Sequence, residues 1–298
     1  MTPAPLEDRR LAGIALTLLA VLLFTGIDSC AKWLIQAGLP PKQVVFVRFA
    51  AHVAIVLCVF WPREGRGLFR TENHGVLVLR GMCLLAGTVL NFLALEHLPL
   101  MLTSAIFFTM PLWICALSVP LLGEQVGPRR WAAVLVGFSG ILIATQPWSG
   151  TMHWAVVYSV GAAVAAALYG ILTRRLAGTD GASTLQAYAA GIAMLGVAPM
   201  AFADWTWPSL PVDWLAFALI GVFGWAGHQV LTVAHRFAPA SVLAPFVYTQ
   251  MVYMTLAGWV IFGSAPDLAV LAGAAVVLAS GLYIWLRERQ LAQASDQV

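Results

Sequence analysis

Residues 11–33 read LAGIALTLLAVLLFTGIDSCAKW. Leu11–Thr25 carries no charge, and then Asp28 and Lys32 arrive four residues apart. That spacing puts both on one face of a helix. A stretch this apolar needs either a deep core or a bilayer around it. Composition decides between them: 61% of the 298 residues are hydrophobic and 10% are charged, where soluble proteins average about 25% charged. A spanning helix takes about 20 predominantly apolar residues. Working outward from the first run, the chain divides into ten: 11–35, 43–61, 75–95, 99–122, 129–146, 153–173, 184–203, 212–234, 239–262 and 267–286. Strands of a membrane barrel would alternate polar and apolar residues. These runs do not alternate, so the expected fold is an all-α membrane protein of ten transmembrane helices. The connections are too short to hold a soluble domain.

Charge distribution orients the spans. With the N-terminus placed in the cytoplasm, the cytoplasmic segments hold Arg9, Arg10, Arg63, Arg66, Arg70, Arg129, Arg130, Arg174, Arg175, Arg236, Arg287 and Arg289. The opposite side keeps Lys42, and Lys32 near a span end. Positive charge stays inside, so both termini are expected in the cytoplasm of a bacterial-type inner membrane. The net charge of +3 is thereby accounted for without nucleic acid. Cys30, Cys58, Cys83 and Cys115 all fall in apolar runs with no CxxC or metal-ligand spacing, so neither a metal site nor a cofactor is expected.

The chain also repeats. Shifted by 140 residues, Gly81 meets Gly221, Ala86 meets Ala226, Gly87 meets Gly227, Ala94 meets Ala234, Pro99 meets Pro239, Thr109 meets Thr249 and Gly123 meets Gly263. Glycine and proline, which fix where helices approach or break, dominate the set. Five spans per copy is odd, so the copies 1–147 and 148–298 enter the membrane from opposite sides. Inverted repeats of this kind recur in secondary transporters, with substrate bound between the halves.

LFTGIDSCAKWLI followed by PPKQVVFVRFAA, then ALEHLPLMLTSAIFFTMPLW and LLGEQVGPRRWAAVLVGFSGILIA, resembles the EamA-type members of the drug/metabolite transporter superfamily. AHRFAPASVLAPFVYTQMV is the matching part of the second half. Two positions depart from that pattern: Asp28, where a neutral residue is more usual, and Ser264, where the second half often has Glu. The resemblance implies helix one on a central cavity and, among family members, export of amino acids or similar metabolites.

An ionised side chain at the centre of a span costs roughly 2.5–3.5 kcal/mol on insertion scales, so it marks function by default. Asp28 lies about two turns deep. It is expected to pair with Lys32 and to meet a substrate ammonium or proton, with Lys32 meeting a carboxylate. Arg48 and His52 are expected in the same network, as a clip between helices one and two. Spans 3, 4, 8 and 9 gather the other mid-membrane polar and aromatic groups. The expected substrate-binding set is Asp28, Lys32, Asn91, Trp113, Tyr169, Trp225, His228, Tyr248 and Gln250, with hinges at Gly87, Pro111, Gly227 and Pro245. Each such residue taken singly is more often helix-to-helix glue than ligand. Spans 5 and 10 are nearly bare of polar groups and read as scaffold or as the surface of a homodimer.

Few mid-membrane cations, a single deep acid and many aromatics suit a zwitterionic or neutral small molecule. The expected function is a secondary transporter in the lipid bilayer, not an enzyme, working by alternating access. An intramembrane lipid-linked transferase, a channel and an assembly factor are the competing classes. The first would need clustered carboxylates or His/Asp sets, and here the acids are scattered singly.

Overall fold

The computed structural model describes residues 10–122, 128–149, 152–176, 179–237, 243 and 246–295. Among them there is no strand. The helices are α1 (Arg10–Gln36), α2 (Pro41–Glu64), α3 (His74–His97), α4 (Leu100–Phe107), α5 (Met110–Leu122) and α6 (Pro128–Thr145), then α7 (Val156–Leu176), α8 (Ala182–Ala201), α9 (Pro211–Phe237), α10 (Thr249–Phe262) and α11 (Leu268–Ser295). A short 3-10 turn, Gly65–Phe69, follows α2. Among the described residues, six helices are long and apolar enough to cross a membrane, and four shorter apolar helices accompany them.

Burial is arranged for lipid. Leu135, Val157, Leu195 and Val260 are 68–76% exposed on the outside, while Lys32, Arg48, His52 and Arg80 are at most 9% exposed inside. A soluble protein would reverse that order.

The run 99–122 departs from expectation: it is not one helix but two, broken at Phe108–Thr109. The proline ring at Pro111 brings no N–H to bond the carbonyl at 107, so the α-helical ladder cannot continue there. Thr109 closes the break. Its hydroxyl donates to the Ile106 carbonyl at 2.6 Å, and its own carbonyl takes the Leu112 amide at 2.8 Å, opening α5. The same device stands 140 residues on: Tyr248 is a turn residue, and the Thr249 hydroxyl donates to Phe246 O at 2.6 Å as α10 begins. Gly123, Pro239 and Pro245 lie outside the described residues.

Helix partners follow small residues. α1 runs along α9, α3 along α7, α2 along α8, and α6 along α11. Phe24 and Leu23 of α1 press on Gly227, and Phe223 of α9 presses on Gly26. Gly87 gives α7 the same close approach at Ala162 and Ala165. α3 and α9 run unbroken through Gly87 and Gly227. Gly140 and Gly273 bring the backbones of α6 and α11 together, and the Ser280 hydroxyl donates to Ala133 O at 2.5 Å across the same seam. Those two helices, nearly bare of polar side chains in their apolar runs, therefore cover each other along this seam.

Candidate functional site

A cavity of about 350 Å³ lies between α1, α2, α3, α4, α7, α9 and α10. Its polar wall comes from three helices. α1 brings Asp28, α2 brings Arg48, and α3 brings Thr88 and Asn91. Gly87 lets α3 lie against α7 at Ala162 and Ala165, and the neighbouring Thr88 is bonded to Arg48 of α2. The remaining wall is largely apolar, with Phe24, Phe92, Phe107, Phe108 and Met254, and it is punctuated by Tyr169, His228 and Gln250.

Asp28 accepts the Asn91 amide, Nδ2 to Oδ1, at 2.9 Å. Arg48 donates from Nη1 to the Thr88 hydroxyl at 2.8 Å, and its guanidinium lies 4.9 Å from the Phe49 ring centre and 5.9 Å from that of Phe92. Its Nε is buried without a partner. Behind Arg48, His52 meets Gln186 Oε1 at 3.4 Å and faces the His228 ring at 6.1 Å, while His228 leans on Phe24 at 5.1 Å.

The expected Asp28–Lys32 pair does not form. Lys32 turns from Asp28 to the end of α3, donating to Leu95 O at 3.0 Å and Leu98 O at 2.7 Å. Carbonyls at a helix C-terminus have no intrahelical partner and carry partial negative charge, so an ammonium there satisfies both. The Phe262 ring lies 5.8 Å from the same nitrogen.

Of the residues expected to hold substrate, Asp28, Asn91, Tyr169, His228 and Gln250 line this cavity, and so does Gly87. Lys32, Trp113, Trp225 and Tyr248 are not among its lining residues. Trp113 sets its ring edge-on to Phe138 of α6 at 4.8 Å. Trp225 packs against Val56, Leu68 and Ala187. Tyr248 stands behind the cavity wall, its ring 5.5 Å from Phe108. Pro111 is the second residue of α5.

One residue that supports the site escaped the sequence reading. Arg80, 4% exposed, donates from Nε to Thr173 Oγ1 at 2.7 Å, from Nη1 to Leu185 O at 2.8 Å and from Nη2 to the Tyr169 hydroxyl at 2.5 Å. Its guanidinium also covers the Tyr169 ring at 4.2 Å. Tyr169 is thus held in the cavity wall from behind. A lone arginine within the apolar run 75–95 was the available signal.

The arrangement has the character of a binding site. It offers a buried anion and a buried cation that are not joined, amides to orient a ligand, and aromatic faces. Known proteins agree with that character. Residues 11–146 and 153–286 each match the EamA-like transporter family. Over 285 residues, 94% of either chain, the sequence is 31% identical to a riboflavin transporter of Vibrio cholerae. It is 27% identical over 281 residues to an S-adenosylmethionine uptake transporter of Rickettsia bellii, spanning 93% of this chain and 94% of that one. A solved crystal structure shares the fold with a TM-score of 0.64 at 20% identity, across 94% of this chain and 99% of the other. Matched along both halves, this multi-pass membrane chain belongs to the EamA-like transporter family of the drug/metabolite transporter superfamily.

Proposed function

We propose that the chain is a secondary transporter for a neutral or zwitterionic nitrogen-heterocycle metabolite, moved by alternating access through the central cavity. The carrying observation is the cavity's composition: Asp28 and Arg48, opposite in charge and joined by no ion pair among the described residues, line it together with several aromatic rings. Charges that offset each other favour a ligand without net charge. Aromatic walls favour a planar ring, whose faces stack and whose edge stays available for hydrogen bonds. About 350 Å³ falls within the ~300–1,000 Å³ typical of pockets for drug-sized ligands. Relatives named for riboflavin and S-adenosylmethionine support a ring-bearing substrate in place of the amino acids that the sequence resemblance implied. Riboflavin joins a nitrogen heterocycle to a hydroxylated chain, and S-adenosylmethionine joins one to a ribose ring.

The same reading takes 1–147 and 148–298 as inverted five-helix repeats of a ten-span protein in a bacterial inner membrane, with both termini cytoplasmic. Supporting it, matched helix breaks stand 140 residues apart at Phe108 and Tyr248. The direct test is flux into proteoliposomes holding the purified protein. Labelled riboflavin is expected to enter, with aliphatic amino acids not competing. Amino-acid flux without riboflavin flux would restore the exporter reading. Flux of neither, in a folded sample, would remove the substrate class.

A further inference from the structure

The polar wall of the cavity is chemically incomplete. Arg48 uses Nη1 on Thr88; Nε is closed off beside Gly224 of α9 and takes no part in the wall, while Nη2 makes no hydrogen bond among the described residues. Asp28 uses Oδ1 on Asn91, and Oδ2 makes no hydrogen bond among the described residues. Nor does an ion pair join Asp28 to Arg48 among those residues. A guanidinium only donates and an ionised carboxylate only accepts. Buried charged groups normally have these capacities filled. A ligand that completes this wall must therefore bring an acceptor for Arg48 beside a donor for Asp28.

We infer that Arg48 and Asp28 together read the donor–acceptor edge of a nitrogen heterocycle, with a ring carbonyl or ring nitrogen accepting from the Arg48 guanidinium and an adjacent N–H donating to the Asp28 carboxylate. This rests on the proposed function and names which part of the substrate the charged wall holds. Asn91 fixes the Asp28 carboxylate, leaving Oδ2 for the ligand. Phe49 and Phe92 flank the guanidinium, so its plane is held by rings rather than by a second carboxylate. Thr88 accepts from Nη1 on the other side of the fork from Nη2. A heterocycle seated on this edge lays its ring among Phe24, Phe107 and Phe108.

The imide edge of riboflavin, O=C–N–H, has this pattern, and 3-methylriboflavin keeps the ring and both carbonyls but loses the N–H. The experiment measures competition by both compounds against labelled riboflavin in proteoliposomes, for the native protein and for Asp28→Asn, with thermal stability recorded for each. The native protein is expected to bind 3-methylriboflavin at least tenfold more weakly than riboflavin. Asp28→Asn is expected to weaken riboflavin by a similar factor and to leave 3-methylriboflavin unchanged, since the contact it removes is already missing. Arg48→Lys, which keeps the charge but not the fork, should weaken both compounds. Equal competition by the two compounds in the native protein overturns the inference and leaves the transporter reading intact. So does an equal loss of both in Asp28→Asn. Absence of riboflavin flux beside robust amino-acid flux overturns the substrate class and this inference with it.

Discussion

Phe108 and Tyr248, 140 residues apart in sequence, meet face to tilted face with ring centres 5.5 Å apart. Each is followed by a threonine whose hydroxyl donates to the carbonyl three residues back at 2.6 Å. Under the proposed inverted repeat these two positions are counterparts, and a residue that meets its own counterpart would lie on the relating axis. Phe108 faces the cavity, while Tyr248 sets its hydroxyl into the notch at Gly281 of α11.

That notch gives a packing prediction. A Cβ at Gly281 would collide first with the Tyr248 hydroxyl and next with the ring carbon bearing it. Overpacking of this kind typically costs about 1–3 kcal/mol. Gly281→Ala should lower thermal stability by that order, and adding Tyr248→Phe should recover most of it by removing the first clash. Equal stability of the single and double variants would show that Tyr248 does not fill the notch.

Lys32 carries the second prediction. Its partners are Leu95 O and Leu98 O, whereas Asp28 is bonded to Asn91. Hydrogen bonds to charged groups contribute about 1.5–3 kcal/mol. Lys32→Met should reduce stability by that order and leave substrate affinity of the folded fraction unchanged. Asp28→Asn and Lys32→Met should add in a double-mutant cycle on stability, because they share no partner. A double variant more stable than additivity allows would mean that the two side chains pair after all.

Arg80 carries the third. Its guanidinium serves three acceptors on α7 and α8, a geometry that a lysine point charge cannot reproduce. Arg80→Lys should release Tyr169 from the cavity wall and raise KM for transport several-fold. Thr173→Val removes the Nε contact while sparing the one to Tyr169, and it should leave KM near the native value. If both variants change KM alike, the arginine acts on the whole seam between α3 and α7 rather than through Tyr169.

These residues mark where the sequence is readable and where it is not. The apolar runs located the starts of most helices to within a few residues, because bilayer thickness sets their length, but 99–122 breaks in two and α11 runs on past 286 to Ser295. Asp28 and Asn91 were legible because a polar group deep in a span needs a reason. The target of Lys32 was not, because backbone carbonyls exist at every position and leave no mark in the sequence. Trp113 and Trp225 were expected at the substrate from their helical spacing with other polar groups. Spacing defines a face, but which neighbour that face meets depends on helix rotation, and they meet Phe138 and the Val56–Leu68–Ala187 cluster. The break at Phe108–Thr109 was half legible: Pro111 announced an interruption, while the threonine that closes it became visible only in the fold.

The last prediction tests the inversion on which alternating access depends. The seam of α6 and α11 exchanges partners under the shift of 140. Gly140 lies against Gly273, and Ala133 is bonded to Ser280, which are the same two positions with the halves swapped. A two-fold relation of this sort places the halves on opposite senses of the membrane only when each holds an odd number of spans. Labelling decides it. In a cysteine-free background, single cysteines at exposed Ser149 and Ser209 should react with an impermeant reagent from outside the cell. Cysteines at exposed Arg66 and Arg175 should react only after permeabilisation. With five spans per half, Ser149 closes the first half on the outer face and Arg175 lies one span later on the inner face. Labelling of Arg175 from outside, with Ser149 reacting only after permeabilisation, would give the halves the same sense, and the relation between Phe108 and Tyr248 would then not be an inversion through the bilayer.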